Sequence, residues 1–360
     1  MTSERPNEPA DAPVGEGHEA VLLEATLRGL DPQPGSVALD LTAGRGGHAV
    51  AIAERLGPQG VLVAVDRDRG NLEHVSGRMA RVFGGDPPPV ESLETATPGP
   101  RTPLGRGPAV VLMHGNFAAA PASLERCGLA ADLALADLGV ASTHLDQAER
   151  GFSFRFDGPL DMRLDPTRGP TAADLVAALP EAELAEAIRR LGEEPLARRI
   201  ARKIAQRRES APICTTFELV DVVREAYGLR AHHSRMHPAT RTFMALRIAV
   251  NDELGALEAL LGEVRRAAVA VAGSAQRSSW LRRGARIALI SFHSLEDRLV
   301  KRAFAAMSRD GLLRLGQSRP LIADDLERDR NPRSRSARLR IATVGDPSNP
   351  QTARTAAHDP

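Results

Sequence analysis

Between Val37 and His48 the chain reads VALDLTAGRGGH, an apolar run that ends in an acid and passes straight into a turn with glycines at 44, 46 and 47. The apolar run predicts a buried strand, and the glycines permit a backbone path that a Cβ would block. A second apolar run, Val61–Val65, ends at Asp66. Strand, glycine turn, helix, strand and acid is the order in which open α/β sheets hold a nucleoside-bearing cofactor at the carboxyl ends of their strands.

Which cofactor is a separate question. Gly44-x-Gly46-x-x-Ala49 formally fits the dinucleotide pattern, with an acid further on. Asp40 argues against it, because an acid just before the turn would repel a pyrophosphate. An acid there suits a cofactor with a cationic amine, such as S-adenosylmethionine, with Asp66 accepting the ribose hydroxyls. A glycine turn that serves only helix packing is the alternative.

A formal net charge of +1 predicts no polyanion partner, but local charge does. Arginines crowd Ile188–Glu209, and a second cluster holds Arg328, Arg330, Arg333, Arg335, Arg338 and Arg340. Such stripes are the usual footprint of phosphate binding, although many are solvated helix faces. Only Lys203 and Lys301 are lysines among the 47 basic residues, so the preference for arginine is global and says little about any one contact. Cys127 and Cys214 suit neither a disulfide framework nor a metal site, and no metal is expected. The polar, Pro-rich N-terminus has no signal-peptide core, and no apolar window is long enough for a membrane span; a cytoplasmic protein is expected.

Along the chain, residues 1–17 and 345–360 read as disordered tails. Val21–Leu30 predicts a short amphipathic helix and Ala49–Leu56 the helix after the turn. The Pro/Gly-rich stretch 84–108 reads as a mobile surface loop. Further strands are expected to end near Phe117, Asp137 and Phe292, with another over Leu339–Thr343. About 150 residues separate the strands ending at 137 and 292, far more than one crossover helix needs. Helical patterns at 175–179, 181–191, 196–208 and 217–227 predict a small helical domain inserted there. Thr240–Val269 predicts one long crossover helix, and Ser294 with Asp297 a capping box. The fold class is α/β, with residues 18–148 and 240–344 forming the sheet domain and 149–239 the insertion.

Residues 136–165, ADLGVASTHLDQAERGFSFRFDGPLDMRLD, are the densest in chemistry. Asp137 closes a strand where a transferred group would face its acceptor. The lone pair of a nucleobase amine is delocalised into the ring, and a carboxylate at hydrogen-bond distance localises it. A strand-end cap is the structural alternative. Phe152, Phe154 and Phe156 alternate, placing three rings on one face if the segment is extended; they suit base stacking, but more often core. Asp157, Asp161, Arg163 and Asp165 read as an ionic latch or a substrate rim, and weakly as metal ligands.

These residues also carry a family resemblance. His18–Glu24, Asp40–His48, Asp137–Ser142, Leu145-Asp146, Glu149–Asp165, Gly192-Glu193-Glu194, His237–Leu254, Ser291–Lys301 and Asn331–Arg340 occur in order over most of residues 18–343. Together they resemble the bacterial small-subunit rRNA cytosine-N(4) methyltransferases, the RsmH (MraW) family. The resemblance implies a Rossmann-like S-adenosylmethionine-dependent methyltransferase sheet with an inserted helical domain that recognises substrate. It implies methylation of a cytidine amine in the decoding region of 16S rRNA, within the small ribosomal subunit. Cofactor contacts would be Gly46, Gly47, His48, Asp66, Phe117 and Asp137, with Asp137 also catalytic. A further family contact, a glutamine, is His144 here, and histidine cannot present both amide groups at once. Ala49 and Ala141 replace usual serines, and the 84–108 insertion is longer than expected. A homodimer is compatible with the sequence. The competing readings are a non-catalytic rRNA-binding or assembly factor and an NAD-dependent dehydrogenase.

Overall fold

The computed structural model describes residues 20–97, 102–229, 236–273 and 279–345. The tails expected at 1–17 and 345–360 lie outside these, apart from Gly345. One eight-stranded sheet organises the chain: β1 (Val37–Asp40), β2 (Val61–Asp66), β3 (Val90–Ser92), β4 (Ala109–His114), β5 (Ala131–Asp137), β6 (Leu281–Ser291), β7 (Leu313–Leu315) and β8 (Arg338–Val344). Their order is β3-β4-β2-β1-β5-β6-β8-β7. The strands from β3 to β6 pair in parallel, and β8 is antiparallel to both its neighbours.

Every residue of β1 is buried, as expected of a central strand covered on both faces. One face packs Ala38, Leu62, Leu112 and Leu135 against α1 (Leu23–Leu30), α2 (Gly47–Leu56) and α3 (Arg69–Phe83). The other packs Leu39, Val63, Ala134 and Ile287 against α4 (Ala120–Arg126), α11 (Glu253–Ala272) and α12 (Ser294–Arg309). Helices on both faces make this the Rossmann-like α/β architecture expected. The chain runs from β1 out to β2 and β4, then crosses back to β5 and β6. The strand order therefore reverses between β1 and β5, which is where such sheets open a crevice.

The helical insertion follows α5 (Ser142–Asp146) and comprises α6 (Ala172–Ala178), α7 (Glu181–Gly192), α8 (Ala197–Ser210) and α9 (Thr216–Tyr227). Capping boxes at Thr171/Asp174 and Thr215/Glu218 start α6 and α9. These helices close on a core of their own that includes Leu184, Ile188, Ile200, Ile204, Leu219 and Val223. Phe243 and Leu246 of α10 (Thr240–Asn251) belong to the same core.

Three local expectations change. The single helix expected over 240–269 is two, broken at Asp252 with φ +48°. Asn251 locks the break: its amide donates to the carbonyls of Met162 and Arg247, and its oxygen accepts from the Leu164 amide. The 84–108 segment is not all loop, because Val90–Ser92 adds an edge strand beside β4. The box that opens α12 is His293 with Glu296, one residue earlier than Ser294 with Asp297. Asp297 instead binds Arg338 and Arg340 across the β8 edge.

Candidate active site

Parallel register puts three acids at one end of the sheet. Asp40 pairs with Ala64 of β2 and Leu135 of β5, so Asp66 and Asp137 each lie two residues beyond it. They flank a cavity of about 450 Å³ whose wall includes Gly44, Gly47, His48, Asp66, Phe117, Asp137 and His144. Of the expected site residues, only Gly46 is not on that wall. Asp40 also lies beneath the floor, 1% exposed.

The turn is shaped by close approach. Gly46 has φ +78°, and a Cβ on it would come within 3.1 Å of Val75; a Cβ on Gly47 would come within 2.8 Å of the Ala20 methyl. Both glycines thus bring the start of α2 against its neighbours, with Gly47 and His48 at the cavity wall. Asp66 pins the turn through Oδ2, which accepts the Gly44 amide at 2.7 Å, while Oδ1 accepts the Asp68 amide at 2.7 Å. Asn71 Nδ2 also donates to Oδ2 at 3.3 Å; a carboxylate offers about four acceptor positions, so capacity for a ligand hydroxyl remains. Phe117 opens a single 3-10 turn after β4, capped by Asn116, with its ring half-buried beside the cavity. The strand itself ends three residues earlier than expected, at His114.

Burial dominates the electrostatics. It pushes the Asp40 carboxyl up to about 7, with the charge of Asp66 adding to the effect against one hydrogen bond from the Thr42 amide. Asp137 is raised well above the usual carboxylate range by burial, then by repulsion from Asp40 and Glu296. Its own amide donates to Thr42 Oγ1 at 2.6 Å, which ties the end of β5 to the end of β1. Asp137 Oδ1 and His144 Nδ1 are buried without a hydrogen-bond partner among the described residues. Such atoms are costly unless something satisfies them.

His144 faces Asp68 rather than open space. Its Nε2 lies 2.8 Å from Asp68 Oδ2, which Arg150 also reaches at 2.6 Å. Asp68 Oδ1 caps α3 through the Gly70 amide. Burial would raise the Asp68 carboxyl, but the bonds from His144 and Arg150 hold it well below the usual range. The His144 ring stacks on Phe152 at 5.1 Å.

Residues that sequence reasoning missed form the opposite wall. Glu253, just after the break between α10 and α11, binds Arg247 Nε and Nη2 at 2.8 and 2.7 Å. Glu296 accepts the Phe292 amide at 2.9 Å and sits 3.2 Å from His293 Nε2. Burial works against the charge of Glu296, but His293, Arg247 and that amide together hold its carboxyl low. Donor atoms of Glu253, His293 and Glu296 lie within 4.8 Å of one another, a spacing a metal could use. The Arg247 guanidinium already occupies both oxygens of Glu253, so ion pairing accounts for the set. An Asn-Asp-Glu run inside an apolar helical pattern was the available signal.

Known proteins sharpen this picture. A model of the MraW methylase family matches residues 15–85 and 104–344. The ribosomal RNA small subunit methyltransferase H of Trichlorobacter lovleyi is 41% identical over 90% of this chain and 97% of its own length. Proteins of the same name from a Synechococcus strain and from Pelobacter propionicus are 44% and 42% identical, over 90% and 91% of this chain and 91% and 98% of theirs. The chain belongs to the MraW methylase family. It is therefore a methyltransferase, and its methyl donor is S-adenosylmethionine; the nicotinamide reading falls away. Residues 86–103, which the family model leaves unmatched, fall inside the 84–108 insertion.

The donor set fits that cofactor. Asp66 and Asp137 line the cavity and Asp40 is buried next to them, an acidic set that suits a ligand carrying positive charge. The arginine clusters of this methylase divide between surface and scaffold. Arg198, Arg199 and Arg207 are exposed on α8, opposite its buried Ile200 and Ile204. Arg208 instead binds the carbonyls of Val176 and Leu179, both at 2.7 Å. Arg330, the last residue of α13 (Asp325–Arg330), and Arg333, just after it, stand at the cavity mouth. The three phenylalanines do not share a face: Phe152 is buried, Phe154 stacks on His237 at 4.4 Å, and Phe156 is exposed.

Proposed function

We propose that this chain methylates the exocyclic N(4) amine of a cytidine in the decoding region of 16S rRNA, in the small ribosomal subunit, with Asp137 as the catalytic residue. The relatives are named for small-subunit ribosomal RNA, and we carry that substrate class to this chain. The observation that carries the chemistry is Asp137 at the carboxyl end of β5, whose side chain lines the cavity about a quarter exposed while its Oδ1 is buried without a hydrogen-bond partner among the described residues.

S-adenosylmethionine supplies an electrophilic methyl on a positively charged sulfur. Gly46, Gly47, His48, Asp66, Phe117 and His144 hold it in this reading, Gly46 through the shape of the turn and the others at the cavity wall. Asp137 accepts a hydrogen bond from the cytidine amine and localises its lone pair toward the methyl. As the N–C bond forms and the S–C bond breaks, the nitrogen becomes acidic and loses a proton. Burial, and then the neighbouring charges of Asp40 and Glu296, raise the proton affinity of Asp137, which suits it to take that proton. His48, buried and lowered to about 4, stays neutral beside it and offers no competing cation.

Residues 149–239 serve as the substrate-recognition domain in this reading, with the exposed arginines of α8 and the mouth residues Arg330 and Arg333 on RNA phosphates. No helix among the described residues is long and apolar enough to cross a membrane, and we assign a cytoplasmic location. Labelled methyl transfer to small-subunit particles lacking the modification, followed by mass-spectrometric mapping of the rRNA, tests the proposal. Label on a cytidine N(4) supports it. Absence of transfer, or label on another atom, overturns it.

A further inference from the structure

On the α1 side of the sheet lies a second groove, of about 520 Å³, outside both arginine clusters that stand out in the sequence. Its floor is β8, where Ile341 is half-buried and Leu339 is covered, with the exposed Ile322 beside it, and its rim carries Arg28, Arg286, Arg314 and Arg319. No carboxylate is among the described residues that line it. Asp31, just outside, pairs with Arg286 at 3.0 Å and offsets its charge. Arg28, Arg314 and Arg319 are exposed.

Close approach of α1 to β8 forms the groove's inner wall. A Cβ on Gly29 would come within 2.1 Å of Ile341 Cδ1, so the glycine lets the helix lie this close without turning the end of the Ile341 side chain. An apolar floor between arginines matches single-stranded nucleic acid, whose bases stack on apolar or guanidinium planes while the phosphates meet cations. A free inorganic anion would use the charges and leave the floor bare.

Position favours the same occupant. Arg338, where β8 begins, pairs with Ser291 at the catalytic end of β6, and Leu339 pairs with Ile290. The groove floor thus starts beside the catalytic end and extends toward Thr343, about 13 Å of strand at 3.3 Å per residue. The chain from Arg319 on the groove rim to Arg333 at the cavity mouth joins the two places.

We propose that this groove binds a single-stranded segment of the substrate RNA adjoining the nucleotide that enters the cavity, through the phosphates at Arg28 and Arg319 and base contact with the β8 floor. The proposal rests on the rRNA reading above.

The test is fluorescence anisotropy of the full-length protein with a labelled decoding-region rRNA fragment across a salt series, wild type against the Arg28→Ala/Arg319→Ala double variant. Two lost single-strand phosphate contacts should reduce the slope of log K against log salt by about 1.4. Affinity should fall about tenfold at moderate salt while S-adenosylmethionine affinity is retained. Arg28→Lys/Arg319→Lys should restore the slope, and Arg302→Ala/Arg309→Ala on exposed α12 positions should leave it unchanged. An unaltered slope in the alanine double variant overturns the proposal, as does a loss confined to vesicles containing phosphatidylglycerol. Methyl transfer by wild type, measured in parallel, separates the two readings. Transfer with an unaltered slope defeats the groove alone, and no transfer with an altered slope defeats the methylation reading alone.

Discussion

His48 Nδ1 stands 3.8 Å from Asp137 Oδ2, while Nε2 of the same ring contacts the Val21 carbonyl at 3.1 Å. A carbonyl only accepts, so Nε2 carries the proton and the Nδ1 lone pair faces Asp137. Nothing at that point lowers the proton affinity of the acid. Asp137→Asn should therefore lower kcat by about a hundredfold to ten-thousandfold, the usual contribution of a positioned acid–base group. Cofactor affinity, read by calorimetry, should stay within about tenfold, since one of several acids near the cavity is lost. Because burial and like charges raise the Asp137 carboxyl, wild-type kcat/KM should fall with decreasing pH above the ordinary carboxylate range. That limb should be absent from the residual activity of the variant. Wild-type rates from Asp137→Asn would remove it from the mechanism.

Asp40 is a pH-dependent liability of the scaffold. Its folded value of about 7 exceeds the value of 3.8 expected in the unfolded chain, so between these the folded state binds more protons. Its favourable contribution is complete below about pH 4 and is lost as pH rises through about 7. Asp40→Asn keeps the oxygen that accepts the Thr42 amide and removes the charge. Urea midpoints should decline less between pH 5 and pH 8 in the variant, with a gain at pH 8 on the order of 3 kcal/mol. S-adenosylmethionine binding should weaken roughly tenfold, because a nearby negative charge is lost. Equal pH dependence in both proteins would count against an ionising Asp40.

What was legible in the sequence follows from where local and tertiary physics agree. The turn at 43–48 could be read because Gly46 adopts a backbone angle that glycine favours. The ends of β1, β2 and β5 could be read because these parallel strands are near-continuous apolar runs ending in Asp40, Asp66 and Asp137. By contrast, β4 ends at His114 with no such mark, three residues earlier than expected. The break at Asp252 could not, because apolar periodicity continues through it and the side chain of Asn251 makes it by reaching residues 162 and 164. Val90–Ser92 is too short to show a period. Ser294/Asp297 and His293/Glu296 both have the spacing of a capping box, and only the draw of Arg338 and Arg340 on Asp297 separates them. Arg247 and Glu253 find each other across the helix break, and spacing alone gave no sign of it.

The Asp68 cluster should behave as a stabilising latch between the start of α3 and the entry to the insertion. Arg150 extends it, donating also to the carbonyls of Arg163 and Leu164 at 3.0 Å. Asp68→Ala leaves His144 and Arg150 without their carboxylate and removes the α3 cap; about 3 kcal/mol of stability should be lost at pH 7. The depressed Asp68 carboxyl stabilises above the unfolded carboxylate range and stops doing so as pH falls through its folded value. Denaturation curves of variant and wild type should therefore converge in strong acid. His144→Gln, which keeps one donor for Asp68, should cost about 1 kcal/mol or less. A cost for Gln as large as that for Asp68→Ala would mean that the latch depends on the imidazole stack with Phe152.

Glu193 joins the insertion to the sheet side of the molecule. It ends α7 at φ +49°, and its carboxylate accepts Ser294 Oγ at 2.6 Å and Arg298 Nη2 at 2.9 Å, both on α12. Its carbonyl accepts from Arg241 at 3.2 Å. An exposed ion pair of this kind contributes about 1 kcal/mol or less, so its value lies in orientation. Glu193→Gly separates the two roles, because glycine adopts the left-handed angle without strain while removing the carboxylate. Stability by urea denaturation should change by less than about 1 kcal/mol. The KM for small-subunit particles should rise several-fold while S-adenosylmethionine affinity holds, because α12 carries Glu296 at the cavity wall and α7 belongs to the insertion proposed to recognise RNA. Glu193→Gln, which keeps one acceptor oxygen and puts a donor in place of the other, should lie between wild type and Glu193→Gly. An unchanged KM in Glu193→Gly would show that packing of α10 against α7 alone sets the orientation of the insertion.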